Sequence, residues 1–323
     1  MNHSDFFPSL LSITGASEVV SVTPIQSLWS GYGEISRVVL RNHLPVVVKH
    51  IRLPDEVAHP RGWATDLSHQ RKINSYTVER CFYQQYGSWC DSSCRVPLLI
   101  GSENSEKDTL LVLEDLNACG FPVRAESLSK RQIRACVSWL ARFHARFLGV
   151  DPEGLWQKGT YWHLDTRPDE LEALTDVALK KAASALDRAL IDGVPQTLVH
   201  GDAKVANFCF SQDGESVAAV DFQYVGGGCG MKDLAYFMGS CLDEFECESQ
   251  EAWILNDYFY ALRLALAELN CTVDVDALEA SWRSVFPIAW ADFHRFLKGW
   301  SPGHWKLNSY SERMCRKALT IIA

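Results

Sequence analysis

A group of polar residues in the second half of the chain has a spacing suited to phosphoryl transfer. His200, Asp202, Lys204 and Asn207 fall within one eight-residue segment, and Asp221 follows Asn207 by fourteen residues. Transfer of a phosphoryl group from ATP needs a carboxylate that orients the attacking hydroxyl, and oxygen ligands that hold Mg²⁺ against the phosphates. We therefore predict that Asp202 is the catalytic base and that Asn207 and Asp221 are metal ligands.

Two other residues of this segment have supporting roles in the prediction. We expect His200 to orient the loop through hydrogen bonds rather than to exchange protons, because Asp202 already fills the role of base. Lys204 lies two residues beyond Asp202, where its ammonium could stabilise negative charge in the transition state. The alternative for Lys204 is a lysine that faces solvent.

A lysine and a glutamate form a second candidate pair earlier in the chain. Lys49 directly follows the apolar run 46–48, and Glu79 lies in a segment with helical spacing. An ammonium at a strand end can contact the α- and β-phosphates of ATP and pair with a helix glutamate. The alternative is two unrelated surface charges.

A short glycine-containing segment precedes Lys49. Gly31 and Gly33 lie between the first two predicted strands, where glycine lets backbone amides approach phosphate closely. The alternative is an ordinary hairpin turn, because the segment lacks the full pattern of a Walker A or protein-kinase loop.

The elements that position these residues divide the chain into two lobes. Short apolar runs bounded by turn formers predict strands over 19–22, 35–40, 46–51, 96–100 and 110–113. The polar stretch 52–74 predicts a long connection, and 75–87 predicts a helix. Residues 1–115 are therefore expected to form a nucleotide-binding lobe, a five-stranded antiparallel sheet with the Glu79 helix packed on it.

The second predicted lobe, residues 116–323, is mainly helical and carries the catalytic loop and the acceptor site. Apolar residues at helical spacing predict helices over 133–147, 169–191, 250–269, 274–298 and 309–321, with Pro287 interrupting the fourth. Short strands are predicted over 197–200, 207–211 and 217–222. The predicted fold class is α+β, bilobal, with a cleft between the lobes.

The motifs and their order resemble the aminoglycoside phosphotransferase and choline kinase group of small-molecule kinases, particularly its ecdysteroid-kinase-like branch. The resemblance rests on the loop from His200 to Asn207 and on Lys49, Glu79, Asp221 and the segment 232–236. It implies a protein-kinase-like fold, ATP and Mg²⁺ as cofactors, and a small-molecule hydroxyl as the phosphate acceptor.

The resemblance also implies roles for two further sites. Glu114 and Leu116 match a hinge whose backbone groups bond the adenine edge, although a simple linker is the alternative. Asp233 matches a structural aspartate that holds the backbone of the catalytic loop, although a helix N-cap gives the same pattern.

The acceptor site is expected in the helical lobe. Aromatic residues concentrate in 282–305, and with nearby carboxylates they could hold a cationic or large apolar acceptor. The alternative is an aromatic core. The acidic run 243–248 could attract an amine, but a solvated loop ahead of a helix is its usual meaning. His144 is expected to be a core histidine.

Composition excludes several other classes of protein. The 323-residue chain has a formal charge of −9, which argues against nucleic acid as a partner. It has no basic segment followed by an apolar stretch at its N-terminus and no run of about 18 apolar residues, so we expect a cytoplasmic protein that binds no membrane. The eleven cysteines are expected to be reduced thiols; Cys90 and Cys94, the closest pair, have no nearby histidine to support a zinc site.

Three functions fit the motifs: a small-molecule kinase, a nucleotide-binding pseudokinase and a protein kinase. The first is favoured because every expected catalytic residue is present. Gly201 replaces the arginine of protein kinases, and Asp233 follows Asp221 by only twelve positions, which leaves little room for a platform for protein substrates. Aminoglycosides, amino alcohols, sterols and sugars are all suitable acceptors, GTP could replace ATP, and no oligomeric state is favoured.

Overall fold

The first part of the chain forms an antiparallel sheet. The computed structural model describes residues 3–28, 31–52, 66–105 and 108–323. Its five-stranded sheet has the order β1-β2-β3-β5-β4, with all neighbours antiparallel. The strands are β1 (Val19–Ser27), β2 (Gly33–Leu40), β3 (Val46–Arg52), β4 (Leu99–Asn104) and β5 (Asp108–Glu114). The five-stranded prediction is therefore confirmed.

Two of these strands end four or five residues beyond their predicted ends. Strand β1 continues five residues beyond the predicted end at residue 22, and β4 extends through residues that were predicted to be the hairpin loop. Strand β4 lies at the edge of the sheet, so polar residues such as Glu103 and Asn104 remain exposed while their backbones pair with β5. Apolar content alone therefore placed the end of this strand too early.

One helix precedes the sheet and another packs on it. Helix α1 (Phe7–Thr14) contributes Leu10 to a small core with β2, β3 and β5. Helix α2 (Asp66–Cys81) continues as a π-turn (Phe82–Tyr86), and its Tyr76 packs with Tyr32 and Ile51.

The predicted connection over 52–74 is partly wrong. Helix α2 begins at Asp66, nine residues before the predicted start, and the residues 53–65 lie outside the described part of the chain. The first two turns of α2 contain only Leu67 and Ile73 as apolar residues, which is too few to produce the stripe that predicts a helix. One of the polar residues there, Lys72, instead contacts the segment after β8, as described below.

The second part of the chain is mainly helical, as predicted. Its helices are α3 (Lys130–Arg146), α4 (Pro168–Ala173), α5 (Val177–Ala189), α6 (Met231–Cys241), α7 (Glu244–Glu268), α8 (Val275–Trp300) and α9 (Ser309–Ile321). Two small two-stranded sheets lie among them: β6 (Thr197–Val199) pairs with β9 (Gly226–Gly228), and β7 (Phe208–Phe210) pairs with β8 (Val217–Ala219).

Three predictions for this lobe need correction. The predicted helix 169–191 is two helices, because Asp176 caps a new start by accepting a hydrogen bond from the Leu179 N–H. The acidic run is the beginning of α7 rather than a loop, since Asp243 forms a capping box with Glu246 and acidic residues favour a helix N-terminus. Helix α8 continues through Pro287. The burial of most residues in the second half of the helix outweighs the backbone hydrogen bond that the proline removes.

A shared hydrophobic core joins the two parts. Phe82 stacks on Phe222 with ring centroids 4.0 Å apart, and Phe222 lies 4.6 Å from the ring of His200. The fold class is α+β and bilobal, as predicted. The sheet ends at Glu114, and the proposed lobe boundary between residues 115 and 116 stays a prediction. Among the described residues, no helix has the length and apolar content needed to cross a membrane.

Candidate active site

The loop after β6 has a conformation that only glycine allows at residue 201. Gly201 has φ +79°, and a Cβ there would lie 2.0 Å from the carbonyl oxygen of Tyr224. Any side chain at this position would therefore displace the backbone. This close approach explains why glycine, rather than the arginine of protein kinases, stands beside Asp202.

Asp233 holds this loop through its backbone. Its carboxylate accepts hydrogen bonds from the N–H of His200 at 2.6 Å and of Gly201 at 2.9 Å. Burial alone would raise the pKa of Asp233, but hydrogen bonds from His144 and Gly201 hold it below its usual range. The ionised carboxylate thus fixes the loop, and the alternative of a plain N-cap is wrong.

His144 supports Asp233 from inside the core. Its Nε2 lies 3.1 Å from Asp233 Oδ2, and its Nδ1 lies 2.7 Å from the hydroxyl of Tyr258. All three side chains are fully buried. His144 is therefore the hydrogen-bonded core histidine that was predicted.

His200 is bonded at both ring nitrogens. Its Nε2 donates to the carbonyl of Val220 at 3.0 Å, and its Nδ1 accepts from the N–H of Asp202 at 3.2 Å. These two bonds tie the loop to the end of β8. They leave neither ring nitrogen open for a substrate.

Asp202 is a buried carboxylate with three side-chain partners. Lys204 Nζ lies 2.8 Å from Oδ2, Asn207 Nδ2 lies 3.1 Å from Oδ2, and the Tyr236 hydroxyl lies 3.1 Å from Oδ1. Burial raises the pKa of Asp202, and the charge of Lys204 opposes that rise. The Lys204 side chain is 40% exposed and its ammonium is paired with Asp202, so its stabilising role stays a prediction.

Asn207 and Asp221 lie on adjacent backbone segments. The N–H of Val220 donates to the carbonyl of Asn207 at 2.9 Å. The Asn207 amide nitrogen is committed to the carbonyl and carboxylate of Asp202, which leaves its Oδ1 as the acceptor end. Asp221 has φ +71°, a strained value for a residue with a side chain.

Three lysines keep Asp221 ionised. Burial by itself would raise the pKa of Asp221, but Lys49, Lys204 and Lys72 lower it to about 2. Its side chain is about one-third exposed, at 32%. Asp221 is therefore an ionised carboxylate whose oxygens remain accessible.

Lys49 lies between two carboxylates. Its Nζ is 2.6 Å from Glu79 Oε2 and 3.5 Å from Asp221 Oδ1. Burial alone would lower the pKa of Lys49, but the two carboxylates raise it. Lys49 and Glu79 are both buried, so the alternative of unrelated surface charges is wrong.

Two residues of this cluster were missed by the sequence analysis as site residues. Gln223 donates from Nε2 to Asp221 Oδ1 at 2.5 Å, and its Oε1 accepts from Lys72 Nζ at 2.8 Å. Burial lowers the pKa of Lys72 to about 8, and its Nζ lies 4.7 Å from the Tyr76 ring centroid. Lys72 was missed because it lies in the predicted connection, and Gln223 because no local pattern marks it as a partner of Asp221.

The two glycines ahead of Lys49 have different surroundings. Gly33 has φ +123°, and a Cβ there would lie 2.0 Å from the carbonyl oxygen of His50. The contact between β2 and β3 therefore accounts for Gly33. Gly31 has φ +77°, and no atom of the other described residues lies within 4 Å of the position of a Cβ there, so among these residues nothing keeps its backbone from a ligand.

In the predicted hinge, residues 114–116, some backbone groups are already hydrogen-bonded and others are not. The Glu114 N–H donates to Leu98 O, and the carbonyl of Leu116 accepts from Cys119 and Phe121. The N–H of Leu116 has no protein partner within the described chain. It is therefore a backbone donor of the predicted hinge that a ligand could use.

The aromatic residues of 282–305 divide into two groups. Trp282 and Trp290 are buried, and their indole N–H groups donate to Pro195 O and Ser311 Oγ, so they belong to the core. Phe293 packs on Tyr236 with ring centroids 4.9 Å apart, next to the residue that bonds Asp202. Phe293, unlike the two tryptophans, therefore lies close to the predicted base Asp202.

Solved structures share the fold. A GDP complex of aminoglycoside 2′-phosphotransferase-IIIa has a TM-score of 0.52 at 11% identity, with 99% of each chain covered. A Ralstonia eutropha JMP134 protein provisionally assigned as an aminoglycoside phosphotransferase has a TM-score of 0.52 at 12% identity, covering 99% of this chain and 95% of that one. Plasmodium vivax ethanolamine kinase has a TM-score of 0.50 at 12% identity, covering 94% of this chain and 83% of that one. The similarity establishes the kinase-like fold predicted from the sequence.

The sequence itself matches a family. No curated protein matches the chain significantly. Residues 95–269, more than half of the chain, match the family described as "Phosphotransferase enzyme family" (APH). The match includes Asp202, Asn207, Asp221 and Asp233, whereas Lys49 precedes it. The chain therefore belongs to the phosphotransferase enzyme family.

Proposed function

We propose that this protein is a kinase that transfers the γ-phosphate of ATP to a hydroxyl group of a small molecule, with Mg²⁺ as cofactor. The observation that carries the proposal is the position of Lys49 between Glu79 and Asp221, at 2.6 and 3.5 Å. This contact joins strand β3, helix α2 and the segment after β8 at one point. An ammonium there can bind the phosphates of ATP beside the metal ligand.

The residues present fit a magnesium ion. Asp221 offers an ionised carboxylate and Asn207 an amide oxygen, and both are the hard oxygen ligands that Mg²⁺ prefers. Among the described residues no three His, Cys, Asp or Glu side chains converge as a complete metal site. Two protein ligands are enough for Mg²⁺, which takes its other ligands from substrate phosphates and water. When bound, the ion neutralises charge on the β- and γ-phosphate oxygens.

The residues around Asp202 support the roles of base and charge stabiliser. Tyr236, Asn207 and Lys204 fix the carboxylate, so that it can orient an acceptor hydroxyl and take its proton. The Lys204 ammonium, beside the same carboxylate, can interact with the phosphoryl group in transit. At the hinge, the Leu116 N–H is the donor for the base of the nucleotide, with Glu114 contributing its carbonyl.

The path of the chain after Asp221 supports a small acceptor. Gly227 N–H donates to Trp156 O and Gly227 O accepts from Gly159 N–H, while β9 pairs with β6. Helix α6 then begins at Met231. Strand β9 is therefore committed to these pairings, and α6 begins three residues after it, which leaves little chain between Asp221 and α6 for a platform that binds a protein substrate.

The proposal can be tested in two steps. Calorimetry should detect ATP binding that is stronger with Mg²⁺, and Asp221→Ala should lose the effect of Mg²⁺ while Asp192→Ala, an exposed control, keeps it. Mass spectrometry should then detect phosphate transfer to a member of a panel of alcohols, amino alcohols, sterols, sugars and hydroxy acids. If the protein binds ATP but neither transfers phosphate nor hydrolyses ATP, the result would instead support a pseudokinase. If Mg²⁺ changes ATP binding neither in the wild type nor in Asp221→Ala, Asp221 is not a metal ligand.

A further inference from the structure

A lysine between α8 and α9 has aromatic neighbours but, among the described residues, no carboxylate within ion-pair distance. The Nζ of Lys306 lies 5.3 Å from the ring centroid of Tyr236, 5.6 Å from that of Trp305 and 5.8 Å from that of Phe293. Within the described ranges, no carboxylate pairs with this ammonium and no hydrogen bond reaches it. A half-buried ammonium among rings retains hydrogen-bonding capacity that the protein does not use.

Lys306 lies beside the proposed reaction centre. Tyr236, whose ring contacts Lys306, donates from its hydroxyl to Asp202. Burial lowers the pKa of Lys306 to about 8, while the charge of Asp202 acts to raise it and that of Lys204 to lower it. Lys306 is thus a cation near the residue that would activate the acceptor.

Three carboxylates of this lobe that could attract a cationic acceptor, Asp292, Glu248 and Glu251, are already paired. Asp292 accepts from the Trp162 indole at 2.9 Å and from Arg295 at 2.9 Å. In the acidic start of α7, Glu248 pairs with Arg313, and Glu251 accepts from the Tyr310 hydroxyl at 2.8 Å. Neither group is available to bind an ammonium of an acceptor.

The aromatic faces give the same indication. The rings of Tyr236, Phe293 and Trp305 could hold a ligand cation, but the ammonium of Lys306 already occupies that position. A second cation there would meet the charge of Lys306 in a partly buried environment, where repulsion is weakly screened. An anion would gain a charge-assisted hydrogen bond instead.

We propose that Lys306 binds an anionic group of the acceptor, so that the acceptor is a hydroxylated acid rather than an amino alcohol or an aminoglycoside. The proposal rests on the proposed function and names its substrate class. The anionic group can be a carboxylate or a phosphate, because both accept hydrogen bonds from an ammonium.

Substitution of Lys306 should leave the fold intact. Its structural hydrogen bonds use the backbone alone: the N–H donates to His304 Nδ1, and the carbonyl accepts from the Ser311 hydroxyl. Lys306→Met therefore removes the charge while it keeps a side chain of similar length. Lys317, which is exposed on α9, offers a matched control as Lys317→Met.

The first experiment measures protection of Lys306 without requiring turnover. The protein is treated with an amine-reactive reagent, and labelling of Lys306 is followed by mass spectrometry with four probes built on a three-carbon chain: D-glycerate, glycerol 3-phosphate, glycerol and 3-(dimethylamino)propane-1,2-diol, whose tertiary amine does not consume the reagent. We expect one or both anionic probes to reduce labelling of Lys306 several-fold, with labelling of Lys317 unchanged. Equal protection by all four probes, no protection, or protection only by glycerol or the amine would overturn the proposal.

Mg-ATP alone is a necessary fifth arm. Full protection of Lys306 by Mg-ATP would place the lysine at the nucleotide phosphates and would also overturn the assignment to the acceptor. For any anionic probe that is phosphorylated, Lys306→Met should raise the KM of the probe about tenfold, the effect of losing a charged hydrogen bond, and leave the KM of ATP unchanged. Failure of Mg-ATP to bind at all would count against the proposed function, whereas selective protection by anions would still support the anion site.

Discussion

The ammonium of Lys204 lies 2.8 Å from the carboxylate of Asp202, two residues earlier in the same loop. The two side chains therefore hold opposite charges side by side, next to the segment that carries Asp221. Because Tyr236 bonds the other oxygen of Asp202, the carboxylate has one fixed orientation. The proposed base and the proposed stabilising cation thus share one short loop, and substitution can separate their contributions.

Asp202→Asn should abolish most turnover and leave nucleotide affinity nearly unchanged. Asparagine keeps the shape and can still accept from Tyr236, but it cannot take a proton. We expect turnover to fall by about 100-fold or more, which corresponds to roughly 3 kcal/mol of transition-state stabilisation. The measurement is acceptor phosphorylation or slow ATP hydrolysis at saturating ATP, with calorimetry for affinity. The exposed control Asp192→Asn should behave as wild type, and equal rates for Asp202→Asn and wild type would remove Asp202 from the mechanism.

Lys204→Ala should lower kcat more than it raises the KM for ATP. The ammonium is expected to act on charge that develops during transfer, and a group that acts only in the transition state changes kcat. Lys204 also lowers the pKa of Asp202, so its loss should move the acidic limb of the pH–rate profile to higher pH. The control is Lys181→Ala on the exposed face of α5. A raised KM with unchanged kcat would mark Lys204 as a residue that binds ATP in the ground state.

Gly201→Ala should destabilise the protein far more than Gly193→Ala. Both glycines have positive φ, +79° and +70°, but a Cβ added at Gly201 would lie 2.0 Å from a backbone oxygen, while one added at Gly193 would meet open space. We expect a loss of about 3 kcal/mol or more in the free energy of unfolding for Gly201→Ala, against about 1 kcal/mol for Gly193→Ala. Urea denaturation of the three proteins measures both values. Similar losses for the two variants would show that the close contact with Tyr224 carries no cost.

Lys306→Met should be more stable than wild type near neutral pH, and the difference should shrink as the pH rises. The pKa of Lys306 is lowered from 10.5 to about 8 in the folded protein, chiefly by burial. Below about pH 8 Lys306 is charged in the folded protein, which bears the cost of burying that charge. Between about pH 8 and pH 10.5 the lysine is protonated mainly in the unfolded chain, so the stability of the wild type rises with pH. Urea denaturation at several pH values tests this, with Lys317→Met as the control. A difference that stays constant with pH would contradict it.

The parts of the site that could be predicted from the sequence are those carried by short, contiguous patterns. The loop from His200 to Asn207 and the strand that contains Lys49 are each specified by residues close together in the chain. Their apolar flanks also identify the strands, since a buried strand requires apolar side chains. The spatial pairing of Lys49 with Glu79 followed from their order on a strand and the next helix.

The parts that were missed depend on contacts between distant segments. Lys72 and Gln223 are 151 residues apart, and their hydrogen bond exists only because helix α2 packs against the segment that follows β8. The early start of α2 was missed for a related reason, because its first turns carry mainly polar residues. Helix α8 continues through Pro287 because tertiary packing decides its path rather than local preference.

The stack of Phe82 on Phe222 has a consequence for how the protein denatures. The two rings come from opposite lobes, and the same hydrophobic core contains Val78 and Leu111 on one side and Trp139 and Phe208 on the other. Separation of the lobes would expose this core to water. Heating should therefore produce a single calorimetric transition, and a fragment that ends near residue 115 should not fold alone.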